Sequence, residues 1–416
     1  MNLENKKHSA ITPWIMWTPV VLFFMYQFIV RVSPGVMQDD IMRRFSISAL
    51  EFGTLSSIFY IAYALMQLPV GILLDRYGPR FVSSGFLTLI LVGILLFIYA
   101  QNWTVALLGR ALIGMGSAGG LLSTAKVARM WFDDITYGKV LGLSISIGVS
   151  GAIYGNWPLT KMIEYFGSNA TLFTLFFIGL ALFFIMVTVV KNEGPQGQII
   201  EPSVSIWEQT KDIMTRGVII KLAIYGGLIG PFLYAYGDAW GFKYLTTVHG
   251  LTKEDASLAI SALYLGVIFG MPFTVYLGKK INAEKMLTVI YGVLTLITFL
   301  ILFFIKGIPY HLIIGLHFLY GVLCGYQVLL FSIVAKEVTL EKSAFVTSIV
   351  NMLNMAFGFL AIFLVGLIIH FTWDGTIENE IPVYSNFAYQ LAFGILLAGL
   401  FIGTLGVLFT KTVEEK

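Results

Sequence analysis

Gly71-Ile72-Leu73-Leu74-Asp75-Arg76-Tyr77-Gly78-Pro79-Arg80 sets a tight, charged turn between two apolar segments, each long enough to cross a bilayer. Two glycines and a proline force the chain to reverse, and three charges hold the reversal at a water-facing edge. Working outward from this turn, the same alternation of long apolar run and short polar break recurs along the whole chain.

The sequence is 57% hydrophobic and 12% charged over 416 residues. A helix needs about 20 apolar residues to cross the hydrocarbon core. Runs of that length occupy residues 13–36, 49–72, 81–100, 104–130, 136–158, 169–190, 218–246, 255–278, 284–305, 310–335, 343–371 and 384–410. A soluble domain is excluded, and the period-two alternation of a membrane barrel is missing. The chain is expected to be an all-α membrane protein of twelve spans, with both ends on one side. Gly and Pro interrupt many spans, which suits helices packed in a bundle.

Placing both ends in the cytoplasm gathers sixteen Lys and Arg on that side, among them Lys6, Lys7, Arg76, Arg80, Arg129, Lys336 and Lys416. Six remain opposite: Arg43, Arg44, Lys161, Lys243, Lys253 and Lys306. This is the positive-inside bias. The net charge of +3 therefore records topology, and no basic cluster interleaved with exposed aromatics marks a nucleic-acid partner. The single Cys324 excludes an internal disulfide. Five scattered histidines, His8, His249, His311, His317 and His370, lack ligand spacing, so neither a metal nor another cofactor is expected. The hydrophobic run after Lys7 has no small-residue cleavage site and reads as a first span that stays.

Residues 191–217 form the longest polar stretch, with Gly194-Pro195, Glu201-Pro202, Ile206 and Trp207. They divide the chain into an N-terminal bundle (1–190), a cytoplasmic linker and a C-terminal bundle (218–416). Met66-Gln67-Leu68-Pro69 before Asp75-Arg76 is echoed by Phe269-Gly270-Met271-Pro272 before Gly278-Lys279. Two pseudo-symmetric six-helix bundles are what alternating access requires.

The turn residues Gly71, Asp75, Arg76, Gly78 and Arg80, with Arg110, Gly114, Gly116 and Ala118 in GRALIGMGSAG, resemble two motifs of the major facilitator superfamily at the expected helices. The resemblance covers essentially the whole chain. RVSPGVM at 31–37, MWF at 130–132, WGFKYL at 240–245 and NMLNMAFG at 351–358 resemble its sugar-phosphate and organic-anion branch. That branch implies an anion held by a first-helix arginine, here Arg31. It also implies a cytoplasmic latch made by the first motif when the outer side is open.

The residues can be weighed on their own chemistry. Gly71 permits close helix contact. Asp75 can accept bonds from an opposing helix N-terminus or pair with Arg76, Arg80 or Arg129, while Arg76 and Arg80 equally serve as positive-inside anchors. Arg31 is the only charge between Lys7 and Asp39 and costs about 3 kcal/mol or more in a span unless it faces a cavity or partner. Binding an anion competes with snorkelling outward or pairing with Asp39 or Asp40. Arg110 suits either bracing the bundle or coupling. Lys126 is a second anion contact or a snorkelling lysine.

Acids that the branch often places before the first-helix arginine and in the fourth-helix motif are replaced by Val30 and Ser117. The second arginine of phosphate carriers is missing from Pro231–Tyr236. Asp238 is then the candidate left for coupling, against the preferred reading of a solvated position paired with Lys243 at the outer mouth. Tyr26, Gln27, Tyr60, Tyr63, Gln67, Tyr234, Tyr236, Trp240, Gln327, Asn351 and Asn354 form the expected lining of a cavity around Arg31.

These readings give a secondary transporter of a small anionic or zwitterionic organic solute, a carboxylate such as a sugar acid, hydroxycarboxylate chelator, amino acid or short peptide. Uptake through a bacterial inner membrane, as a monomer, is expected, with coupling to a proton, to sodium or to nothing. Neither a nucleotide-binding loop nor a nucleophile and base marks an enzyme. A multidrug exporter is the first alternative, weakened because Gly142, Gly148, Gly151 and Gly155 lack the Gly-Pro pair of the exporter motif. A transporter-shaped receptor is the second. Asn102-Trp103-Thr104 and Asn169-Ala170-Thr171 spell glycosylation acceptors but lie against the membrane.

Overall fold

A computed structural model describes residues 11–195, 211, 213, 215–378 and 380–412. Lys6, Lys7, His8, Lys416 and most of the linker, with Glu201, Pro202, Ile206 and Trp207, lie outside the described residues. The helices are α1 (Thr12–Val36), α2 (Gln38–Phe45), α3 (Ala49–Tyr99), α4 (Trp103–Ser117), α5 (Gly119–Trp131), α6 (Asp134–Tyr154) and α7 (Trp157–Val189) in the first half. The second half holds α8 (Gly217–Ile229), a π-helix (Leu233–Trp240), α9 (Gly241–Val248), α10 (Lys253–Ile281), α11 (Glu284–Phe304), α12 (Tyr310–Leu323), α13 (Tyr326–Lys336), α14 (Leu340–Phe371) and α15 (Asn386–Phe409). A two-residue hairpin, β1 (Ile377–Glu378) and β2 (Ile381–Pro382), pairs antiparallel in the last loop, a departure from the all-helical expectation.

Ten helical stretches among the described residues are long and apolar enough to span, and two of them run to 51 and 56 residues. Each of those two breaks at a glycine in the left-handed region, Gly78 and Gly167, both at φ 78°. Divided there, the fold is consistent with twelve crossings. At Gly78 the turn is tied down by Asn192, whose Oδ1 accepts from the Arg80 N–H at 2.9 Å, and a Cβ on Gly78 would lie 2.6 Å from the Asn192 side chain. We call the face carrying residues 11 and 412 the terminal face and the other the distal face.

Small residues set the helix packing within each half. A Cβ on Gly114 would stand 2.3 Å from the Phe59 carbonyl oxygen, and one on Gly116 2.4 Å from that of Phe86. The fourth-helix motif is thus a contact surface against α3. Gly142 by contrast meets nothing within 4 Å. Gly114→Ala should therefore destabilise by about 1–3 kcal/mol through overpacking. Gly142→Ala should stabilise by up to about 1 kcal/mol through helix propensity. Thermal unfolding of the detergent-purified variants, followed by size-exclusion fluorescence, reads both.

The halves meet on the distal face. Lys243 pairs with Asp39 at 2.6 Å and Lys161 with Glu254 at 2.6 Å, and the Ala49 N–H donates to the Tyr384 hydroxyl at 2.8 Å. Gly53 on α3 and Gly366 on α14 approach so closely that a Cβ on Gly53 would be 3.2 Å from the Gly366 Cα. At the terminal face, ion pairs join neighbours within one half: Asp75 with Lys126 at 2.6 Å, Arg129 with Asp134, and Glu284 with Lys336 at 3.0 Å. The Thr136 N–H and hydroxyl bond to Asp133 there and hold its carboxyl below the usual carboxylate range. The molecule is closed distally.

Candidate functional site

Arg31 lies 6% exposed in α1, and its counter-ion comes from the other half of the molecule. Nε and Nη2 donate to Asp238 Oδ2 at 2.8 and 2.6 Å. The Tyr60 hydroxyl of α3 donates to the same oxygen and accepts from Arg31 Nε at 3.3 Å, and Tyr264 of α10 donates to Oδ1. The guanidinium carbon is 5.0, 5.2 and 5.3 Å from the ring centres of Phe28, Tyr60 and Tyr234. Aromatic faces attract a cation, so these rings hold the guanidinium while its edge bonds the carboxylate.

The sequence around Arg31 explains why it is held there. Pro34 has no N–H, so the helix leaves the Val30 carbonyl without its i+4 donor. Arg110 fills that gap, donating from Nη1 to Val30 O and from Nη2 to Arg31 O, both at 3.0 Å. Its own guanidinium carbon is 5.0 Å from the Phe59 ring centre. Arg110 thus braces the backbone that carries Arg31. Gly35 performs a second task, since a Cβ there would stand 2.8 Å from the Asp238 carbonyl oxygen and push the two halves apart. On the other side Leu233–Trp240 is wound as a π-helix, a form that is rare and concentrates at functional sites. It carries Tyr234 and Asp238 together into the interface.

Asp238 was expected at the outer mouth beside Lys243. The structure corrects this: Asp238 is buried against Arg31, and Lys243 is taken by Asp39. The alternatives for Arg31, snorkelling or pairing with Asp39 or Asp40, are overturned by the same contacts. Lys126 does not snorkel free but bonds Asp75, which pairs with none of Arg76, Arg80 and Arg129 in the ion pairs seen. Arg76 instead lies over the Tyr77 ring and Arg80 over that of Phe81. Gly71, read as a close helix contact, meets nothing within 4 Å.

The expected lining is divided by the structure. Tyr60 and Tyr234 surround Arg31, and Gln327 Nε2 donates to the Tyr234 hydroxyl at 3.4 Å. Tyr63 stacks on Phe59, Gln67 is half-buried, and Asn351 is half-buried on α14. Asn354 is buried with neither amide atom bonded, and Gln27 Oε1 is likewise without a partner. Tyr26 turns away and donates to the Leu175 carbonyl at 2.9 Å inside the first half. Tyr236 bonds His317 Nε2 at 3.0 Å within the second half. Trp240 seals the distal closure, donating to Ile362 O at 3.2 Å and packing edge-to-face on Phe52 with ring centres 5.1 Å apart. Sequence reasoning missed Tyr264, one of 20 tyrosines with nothing in its spacing to distinguish it, and Asn192, for which Gly78 was the available signal. No group of three or more His, Cys, Asp and Glu able to hold a metal occurs among the described residues.

A buried charge pair thus joins α1 to the π-helix within a bundle of apolar helices long enough to cross a membrane. Residues 20–362 match the Major Facilitator Superfamily profile, and the chain belongs to that family. Three relatives at 28% identity are matched over 27–43% of their own length, so the chain spans less than half of each. Among them is the "Probable L-galactonate transporter" of Escherichia coli (strain K12), over 39% of this chain and 36% of that one. The "Hexuronate transporter" of Bacillus subtilis (strain 168) is 25% identical over 58% of this chain and 59% of its own. The fold is shared with a bacterial homolog to the human lysosomal transporter Spinster, in inward-facing and occupied conformation. That structure is 14% identical with TM-score 0.78, covering 97% of both chains.

Proposed function

We propose that this protein carries a small organic anion, a sugar acid being the class most in keeping with its relatives, across a bacterial inner membrane by alternating access. The observation that carries the reading is the Arg31–Asp238 pair: a guanidinium whose bonding edge is buried between the halves and held by a carboxylate from the opposite one. A substrate carboxylate fits the same edge with the same geometry. The terminal face is cytoplasmic in this reading, transport is uptake, the chain acts as a monomer, and the two halves, joined through 191–217, rock about the pair. Tyr60, Tyr234 and Gln327 complete the near surface, and the unbonded amide of Asn354 is available to a hydroxyl, since a buried unpaired amide gains by finding a partner.

The test is a thermal-shift screen of the detergent-purified protein against D-glucuronate, L-galactonate, D-glucarate, nitrate, amino acids and lipophilic cations. A ligand stabilises the folded state it binds, by about 2.7 kcal/mol at a hundred times its Kd. Stabilisation by a sugar acid that is lost in Arg31→Ala is expected. Stabilisation by cations alone, indifferent to Arg31, would replace the reading with an exporter.

A further inference from the structure

We infer that Asp238 is the proton-binding residue of the carrier, taking up one proton each time a substrate carboxylate replaces it on Arg31. This rests on the anion-carrier reading above and adds the co-transported ion. Among the described residues Asp238 is the one fully buried carboxylate. Its helix is not where the resemblance places coupling acids, whose positions are Val30 and Ser117 here.

Arg31 bonds Asp238 through Nε and Nη2, both to Oδ2, so an arriving carboxylate competes for the edge already in use. The side chains are 6% and 2% exposed, which leaves little water to solvate a displaced charge. Two ionised carboxylates on one guanidinium repel, and one of them is driven to the neutral acid.

The surroundings of Asp238 suit that change. Facing it are Arg31 from α1, Tyr60 from α3, Tyr264 from α10, Tyr234 from its own π-helix, Arg110 from α4 and Cys324 beyond α12. Arg110 has both terminal nitrogens committed to the Val30 and Arg31 carbonyls, which hold it to the α1 backbone. The groups in contact with Asp238 that remain are the hydroxyls of Tyr60 and Tyr264. A hydroxyl donates to a carboxylate and accepts from a carboxylic acid, so both states of Asp238 are satisfied in place.

The step balances. On loading, Asp238 releases Arg31 and gains a proton from water on the loading side, and the substrate carboxylate takes the vacated edge while Arg31 keeps its proton throughout. The pair of Arg31 and Asp238, neutral when empty, stays neutral when loaded with a monocarboxylate. On the other side the anion leaves, Asp238 gives up its proton, and the ion pair reforms.

The experiment uses proteoliposomes containing the full chain and a lumenal pH dye, with the membrane potential clamped. An inward D-glucuronate gradient should acidify the lumen by one proton per anion, and a pH gradient should drive accumulation. Asp238→Asn and Asp238→Ser should lose proton movement and at least tenfold of the pH-driven accumulation while still exchanging labelled for unlabelled D-glucuronate at a measurable rate. Asp238→Glu should keep the coupling. Anion entry without acidification, or pH-driven accumulation by either non-titratable variant, would overturn the inference and leave the anion-carrier reading standing. If neither non-titratable variant refolds, the wild-type stoichiometry decides: zero protons per anion overturns it and one supports it. No flux or thermal shift with D-glucuronate, L-galactonate, D-glucarate or nitrate would bring down both.

Discussion

Arg31→Ala should abolish uptake of an anionic substrate and also destabilise the protein, by about 3–5 kcal/mol, because it leaves the Asp238 carboxylate buried without its cation. The double variant Arg31→Ala, Asp238→Asn should recover most of that stability and none of the uptake. The two readouts separate because they depend on different things. Stability depends on no charge being stranded between the halves, so removing both charges nearly restores it. Uptake depends on a cation being present for the substrate, so only Arg31 restores it. Arg31→Lys tests the geometry further. Lysine keeps the charge but presents a point donor that cannot bond through two nitrogens while lying against the rings of Phe28, Tyr60 and Tyr234. Loss of one such charge-assisted bond, about 1.5–3 kcal/mol, corresponds to roughly a tenfold to hundredfold fall in apparent affinity. Unfolding midpoints and radiolabelled uptake on the same four preparations give the comparison. Uptake restored in the double variant would show that Arg31 is structural.

Membrane architecture was legible because it rests on composition, and a span must be apolar whatever packs against it. The turn at Gly78 was equally legible, since a positive φ selects glycine. Arg31 could be singled out for the same kind of reason: an isolated charge in hydrocarbon has few destinations. What sequence could not supply was the partner. Asp238 and Lys243 are five residues apart and read as neighbours at a helix end. The π-helix changes the winding over 233–240, so Asp238 turns inward to Arg31, while Lys243 reaches Asp39. Nothing in eight residues of sequence announces a π-helix. The tyrosines show the same limit, since Tyr60 and Tyr264 bond Asp238 whereas Tyr26 and Tyr236 serve packing inside their own halves. Pro34 and Gly35 were visible as helix interruptions. Their tasks, freeing a carbonyl for Arg110 and admitting the Asp238 backbone, exist only once the halves are assembled.

Distal closure makes the second large prediction. A Cβ on Gly366 would stand 2.7 Å from the Ala49 carbonyl oxygen and 3.1 Å from both the Gly53 Cα and the Trp240 ring. Backbone therefore meets backbone between α3 and α14, with Trp240 wedged beside them, and a side chain can enter only if the halves part. Gly366→Leu should bias the carrier toward a distally open form. Overpacking of about 1–3 kcal/mol shifts a two-state equilibrium by roughly 5- to 150-fold, enough to slow a cycle that must pass through the closed form at least fivefold. Substrate binding should survive, because Gly366 belongs to the closure and not to the Arg31 site. Ser261, buried and accepting from the Trp157 N–H at 3.4 Å across the halves, offers the reporter. With Cys324→Ser removing the chain's one cysteine, Ser261→Cys should react slowly with a membrane-impermeant maleimide in the parent and quickly once Gly366→Leu is added. Undiminished transport together with an unreactive thiol would mean that the glycine contact is ordinary helix packing, and that closure is held by Asp39–Lys243 and Lys161–Glu254 instead.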